Sequence, residues 1–142
     1  MTRDEPSLLE QALGRMMERD LDGFLEMFAE DAVIFDPHYP FPRMEGKAAI
    51  RHGLTWALKT LVKPGFEVRE VWMQGDKGVV EVQTHHVLKQ GPDLDFEQVF
   101  LFETRDGLIT HLRAFVPYRP LGIGGWIARL TAAWWRLWGN GG

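Results

Sequence analysis

Apolar positions between Ser7 and Arg19 recur at helical spacing. Leu8, Leu9, Ala12, Leu13, Met16 and Met17 predict a first helix, opened by the capping box Ser7-Leu8-Leu9-Glu10. A second short helix, capped by Asp20 or Asp22, carries Phe24, Leu25, Met27 and Phe28. The period then changes. Ala32-Val33-Ile34-Phe35-Asp36 is β-branched and aromatic, and Pro37 holds its predecessor extended, which predicts a strand over 32–36. Pro37, Pro40 and Pro42 make 37–44 a fixed loop. A third helix follows from Lys47 to Thr60, with Ala49, Ile50, Leu54, Ala57, Leu58 and Leu61 as its buried stripe, and Pro64-Gly65 stops it. The remainder reads as antiparallel strands over 66–74, 78–89, 95–105 and 108–118, joined at Gly75-Asp76-Lys77-Gly78, Gly91-Pro92-Asp93 and Asp106-Gly107. Helices gathered before strands predict an α+β fold, with three helices on one face of a curved antiparallel sheet.

Alternation sorts the strand residues by face. Phe96, Gln98, Phe100 and Phe102 share one side, and Leu112, Ala114 and Val116 share another. The series Val80, Val82, Thr84, His86 is more apolar than Val79, Glu81, Gln83, His85, which turns His86 inward. Beyond a main domain over 1–120, the segment 121–142 has a different character. Gly122-Ile123-Gly124-Gly125 reads as a hinge, and Trp126 to Trp138 as an amphipathic helix. Trp126, Ile127, Leu130, Trp134, Leu137 and Trp138 lie on one face, opposite Arg129 and Arg136. Docking of this helix on protein, at a pocket mouth or a partner subunit, is expected ahead of weak membrane association.

Composition narrows the function. At 142 residues, 45% hydrophobic and 25% charged, the chain fits one folded domain. The net charge is −4; the segment 121–142 contributes +2, so the rest carries −6 and no nucleic-acid footprint is expected. Cysteine is absent, removing disulfides and thiolate chemistry, and Ser7 is the single serine, which excludes a serine triad. Met1-Thr2-Arg3-Asp4-Glu5 has no apolar run behind it and no stretch approaches a span, so a cytoplasmic protein is expected. Phosphate-binding glycine motifs and a His-Glu-x-x-His pair are missing. His85 and His86 are strand neighbours pointing oppositely, so neither cofactor nor metal is expected.

The run Asp20-Leu21-Asp22-Gly23-Phe24, then Phe28-Ala29-Glu30-Asp31-Ala32, Asp36-Pro37 and Gly46-Lys47-Ala48-Ala49-Ile50-Arg51 resembles SnoaL-like polyketide cyclases and ketosteroid isomerases of the nuclear-transport-factor-2-like superfamily. The resemblance spans about 8–118. It implies a cone-shaped fold, dimerisation through the outer sheet face, and an apolar pocket for a hydrophobic small molecule. Asp36 matches the isomerases' general base, which acts beside an oxyanion hole. Ala12 stands where the family carries a tyrosine donor, and Gln98 where it carries a protonated aspartate. Ala114 stands where the superfamily's epoxide hydrolases require an aspartate, so that activity is not implied.

The candidate catalytic residues are therefore Asp36 and Gln98. Tyr39, Trp56, His86, Phe100, Leu112, Ala114, Tyr118, Ala12 and Met16 are candidate ligand contacts. Bland readings stand beside these. Asp36 would equally start an Asp-Pro turn by bonding nearby backbone N–H groups. Gln98 would equally be a core amide satisfied by a backbone carbonyl. Tyr39 and Tyr118 are either phenolic donors or packed rings. His38 can exchange protons near neutrality but sits in a proline-rich loop. Two functions follow: proton abstraction beside a carbonyl, or non-catalytic binding and dimerisation.

Overall fold

The computed structural model describes residues 5–116 and 123–139. Ser7 caps helix α1 (Leu8–Met17) through the reciprocal box, its Oγ accepting from Glu10 N–H at 3.2 Å. Asp20 caps α2 (Leu21–Glu26), accepting from Gly23 N–H at 2.9 Å. Arg19, between the two helices, has φ 61°. Its guanidinium donates to the carbonyls of Leu58 at 2.6 Å and Leu61 at 3.0 Å. One cation thus satisfies acceptors where α3 (Gly46–Thr60) ends, tying the first helices to the third.

The strands are β1 (Phe28–Phe35), β2 (Arg43–Glu45), β3 (Leu61–Lys63), β4 (Phe66–Gln74), β5 (Lys77–Leu88), β6 (Leu94–Arg105) and β7 (Leu108–Phe115). They form one sheet in the order β2-β1-β7-β6-β5-β3, with β4 also paired to β5. The four long strands match the sequence reading closely. The sheet is mixed, however. β1 runs parallel to β7, with Ile34 beside Leu112, whereas the remaining pairs are antiparallel. A parallel pair between the first and last strands needs the whole chain as its crossover, which short-range turn signals cannot announce.

Three local differences have physical causes. Phe28 opens β1 instead of closing α2, and the exposed Glu30 and Asp31 interrupt the alternation that would have marked the strand's start. Residues 43–45 of the expected loop pair with β1, and 61–63 pair with β5. Both are three-residue edge strands: 43–45 returns on β1 across the proline-rich loop that masks it, and 61–63 meets a partner distant in sequence. The Asp106-Gly107 hairpin has positive φ at both positions (53° and 76°), the geometry that fits the twist of the flanking strands.

The core lies between the helices and the concave sheet face. Leu9, Leu13, Phe24, Ile50 and Leu54 from the helices meet Phe28, Ile34, Val80, Val82, Phe100 and Phe102 from the strands. The Phe24 and Phe28 rings stack 4.7 Å apart. The convex face leaves Trp72, Leu101 and Phe115 exposed. Helix α4 (Ile123–Trp138) includes Gly124 and Gly125, so residues read as hinge begin the helix; Gly122 lies outside the described residues. Trp126, Ile127, Leu130, Trp134, Trp135, Leu137 and Trp138 are all exposed, by 58 to 77%. Among the described residues, the expected docking of this face on the chain's own body does not occur.

Candidate functional site

Strand β1 delivers Asp36 to the site. Ala32 and Ile34 point into the core, and Asp36, two residues further, continues their face just past the strand's end. The chain is pinned there, with Asp36 N–H donating to Pro42 O at 2.8 Å and Asp36 O accepting from Tyr39 N–H at 3.2 Å. Asp36 Oδ1 accepts from the His38 backbone N–H at 3.0 Å and lies 2.7 Å from His38 Nδ1. The turn reading is therefore realised, in a residue that also borders the cavity. The Asp36 side chain is 15% exposed and the His38 side chain 40%.

These groups border a cavity of about 160 Å³ between helices and sheet. Its walls are largely apolar, supplied by Leu13 and Met16 of α1, Leu54 of α3, and Phe66, Phe96 and Phe100 of the sheet. Trp56, Tyr39, His86, Gln98 and Leu112 also line it. Ala12 and Ala114, expected as ligand contacts, do not. Both are buried in the core, and a methyl group is too short to reach past the larger Leu13, Met16 and Phe100. Tyr118 lies outside the described residues.

The polar groups at the cavity are arranged as follows. His86 Nδ1 accepts from Gly65 N–H at 3.1 Å, which leaves Nε2 as the protonated nitrogen of the neutral ring. Burial, together with the neighbouring His38, lowers the His86 pKa from 6.5 to about 4, against an opposing pull from Asp36. The imidazole is thus neutral across the physiological range. Its ring sits edge-on to Phe66 and Phe96, with centroids 5.0 and 6.4 Å apart. Tyr39 is pushed well above the usual phenol range by burial and then by the Asp36 charge, so it stays a protonated donor. Its ring leans on Trp56 at 5.8 Å.

Gln98 is 3% exposed and donates through Nε2 to Thr84 Oγ1 at 2.6 Å. Its Oε1 is buried without a partner among the described residues. The free atom is therefore an acceptor, contrary to the donor role expected of it. Turning the amide by half a revolution lets Oε1 accept from the Thr84 hydroxyl and frees an N–H instead. Either way, one buried polar position next to the cavity is without a partner among the described residues.

Sequence reasoning placed His38 in an exposed loop and missed its pairing with Asp36. The signal was the Asp-x-His spacing across a turn-forming proline. Phe96 was on the correct strand face without being named as a contact. Leu13 was read on the apolar face of the first helix and Leu61 on that of the third, although Leu61 opens β3 instead. Phe66 carried no signal of its approach to the cavity, which depends on packing.

Comparison with known proteins places this architecture. A model for the SnoaL-like domain matches residues 9–112. The uncharacterized protein YesE of Bacillus subtilis (strain 168) is 29% identical over 119 residues, covering 80% of each chain. A structure from Sinorhizobium meliloti, described as a candidate polyketide cyclase, is 26% identical, with a TM-score of 0.67 over 79% of this chain and 96% of that one. TerC, co-crystallised with polyporic acid, is 22% identical, with a TM-score of 0.69 over 78% of this chain and 88% of that one.

Proposed function

The chain belongs to the SnoaL-like domain family, and from that premise we propose that it is a cofactor-independent enzyme that moves a proton beside the carbonyl of a small hydrophobic compound, with Asp36 as the base. The observation that carries this reading is the company Asp36 keeps. One carboxylate, fixed through Oδ1 by His38, lines an apolar cavity together with a protonated Tyr39, a neutral His86 and an incompletely bonded Gln98. A base among neutral donors is the composition that enolate chemistry needs.

Asp36 Oδ2 takes the proton from the carbon next to the carbonyl, since Oδ1 already accepts from His38. The C–H electron pair moves into the enolate, whose oxygen receives a hydrogen bond from Tyr39 OH, His86 Nε2–H or a turned Gln98 amide. Asp36 then returns the proton to a different carbon, which is an isomerisation. Alternatively, the enolate carbon attacks a second carbonyl carbon of the same molecule, whose C=O π pair moves onto oxygen and takes the proton back from Asp36, which closes a ring as an alcohol.

Cavity volume bears on the substrate. An enclosed apolar space of about 150 Å³ holds one benzene ring, so about 160 Å³ favours a single ring or an open-chain ketone over a fully enclosed polycycle. A longer substrate would project past His38, Trp56 and Leu94, which are partly exposed. Homodimerisation over the convex face belongs to the same proposal, supported by exposed Trp72, Leu101 and Phe115. Sedimentation equilibrium measures it.

The second reading is a non-catalytic binder. It is favoured by Ala12, which brings no donor, and by the engagement of the Gln98 nitrogen with Thr84. Thermal-shift screening with cyclic ketones and polyketide fragments, followed by NMR of the stabilising ligands in D2O, separates the two. Enzyme-dependent exchange of protons next to the carbonyl supports catalysis. Stabilisation without exchange across the panel supports the binder.

A further inference from the structure

Helix α4 differs from the other helices in what it leaves uncovered. Helix α1 buries Leu9, Ala12, Leu13 and Met16 along one stripe, and α3 buries Ile50, Leu54, Ala57 and Leu58. In α4 the large apolar side chains whose exposure is described remain open to solvent. At about 100° per residue they occupy roughly 200° of the helix circumference, from Ala133 round to Trp135. Thr131 lies within that arc, but its hydroxyl donates to Ile127 O at 2.8 Å and so makes no outward polar demand. Arg129 and Arg136, two turns apart, stand together within the remaining arc of about 160°.

We propose that α4 is an interfacial helix that docks the protein on an anionic lipid surface, lying in the plane of the bilayer. Three observations select this occupant. The apolar arc is twice the width of about 100° that a helix normally presents to a protein core, and a fluid interface can cover so wide an arc where one rigid face cannot. Four of its apolar side chains, Trp126, Trp134, Trp135 and Trp138, are indoles. Each joins a large apolar body to an N–H that needs a wet partner, a combination suited to the headgroup boundary. The third is charge. Residues 121–142 contain two arginines and no carboxylate, so the segment complements a negative surface although the rest of the chain is acidic. Beyond the screening length of about 8 Å at physiological salt, repulsion of that body is weak. The guanidinium groups can snorkel to lipid phosphates while the indoles sit below them.

Crossing is excluded by length. The helix has 16 residues, about 24 Å at ~1.5 Å per residue, against a hydrocarbon core of about 30 Å. Among the described residues no helix is long and apolar enough to span a membrane.

Flotation of the full chain with vesicles of phosphatidylcholine and phosphatidylglycerol, against phosphatidylcholine alone, tests the proposal. The mixed vesicles should bind more tightly and shift tryptophan emission to shorter wavelength. R129Q with R136Q should weaken partition about 30-fold, from about fivefold per arginine. L130E with W134E should abolish binding without changing the melting of the body, which separates lost docking from lost folding. Failure of the wild-type chain to float, or equal flotation of wild type and L130E/W134E, overturns the proposal. Self-association that needs α4, without lipid binding, also overturns it and makes a second copy the occupant.

Discussion

Residues 28–35 and 126–138 are both rich in bulky apolar side chains, yet Phe28, Ala32 and Ile34 are sealed in the core while Trp126, Leu130 and Trp134 face solvent. The strand is held between β7, far away in sequence, and β2, which follows it across a short loop. Among the described residues the helix has no comparable partner. Local amphipathicity is similar in kind for the two segments, so tertiary partnering decides which apolar surface is covered. The polar groups are distributed in the opposite sense. The body encloses Gln98 and Thr84 and partly encloses Asp36 and His86, whereas α4 carries its two arginines outward.

Substitutions can break or sharpen this contrast. The largest effect on stability is expected at Phe28. Phe28→Ala leaves a cavity against Phe24 and should cost about 3–5 kcal/mol in chemical denaturation. A smaller effect comes from His86. Its pKa in the folded state lies below the unfolded value, so the unfolded chain binds the extra proton between about pH 6.5 and pH 4. Stability therefore falls as pH is lowered through that window, by at most about 1.4 kcal/mol per pH unit from this residue. His86→Gln should flatten that slope, measured as denaturation midpoints across the window. The smallest effect is expected on α4, where Trp134→Ser should move the stability of the body by less than about 0.5 kcal/mol. A large loss there would show that the helix is covered in solution.

Much of the fold could be read from residue order. The alternation Val80, Val82, Thr84, His86 and the row Phe96, Gln98, Phe100, Phe102 each fixed a strand and its inward side. The capping box at Ser7 and the Asp106-Gly107 turn fixed element ends. What escaped was set mostly by distant partners: the parallel β1–β7 pairing, β3 on β5, and the start of β1 at Phe28; β2 escaped because the prolines before it read as loop. The site divides similarly. His86 was legible from strand phase, and Asp36 from its match to the family's base; both line the cavity. The Gln98 amide was placed on the right face, but the direction of its hydrogen bond depended on Thr84, directly across from Phe96 on the neighbouring strand. Ala12 and Ala114 share faces with lining residues yet are too small to reach the space.

The account rests on the carboxylate beside the cavity. The most direct test compares wild type and Asp36→Asn, measuring ligand dissociation constant and D2O exchange rate on one stabilising ketone. Loss of a positioned general base predicts a rate fall of about 10²–10⁴-fold with affinity changed little. An Asp36→Asn protein that exchanges protons at the wild-type rate would contradict it.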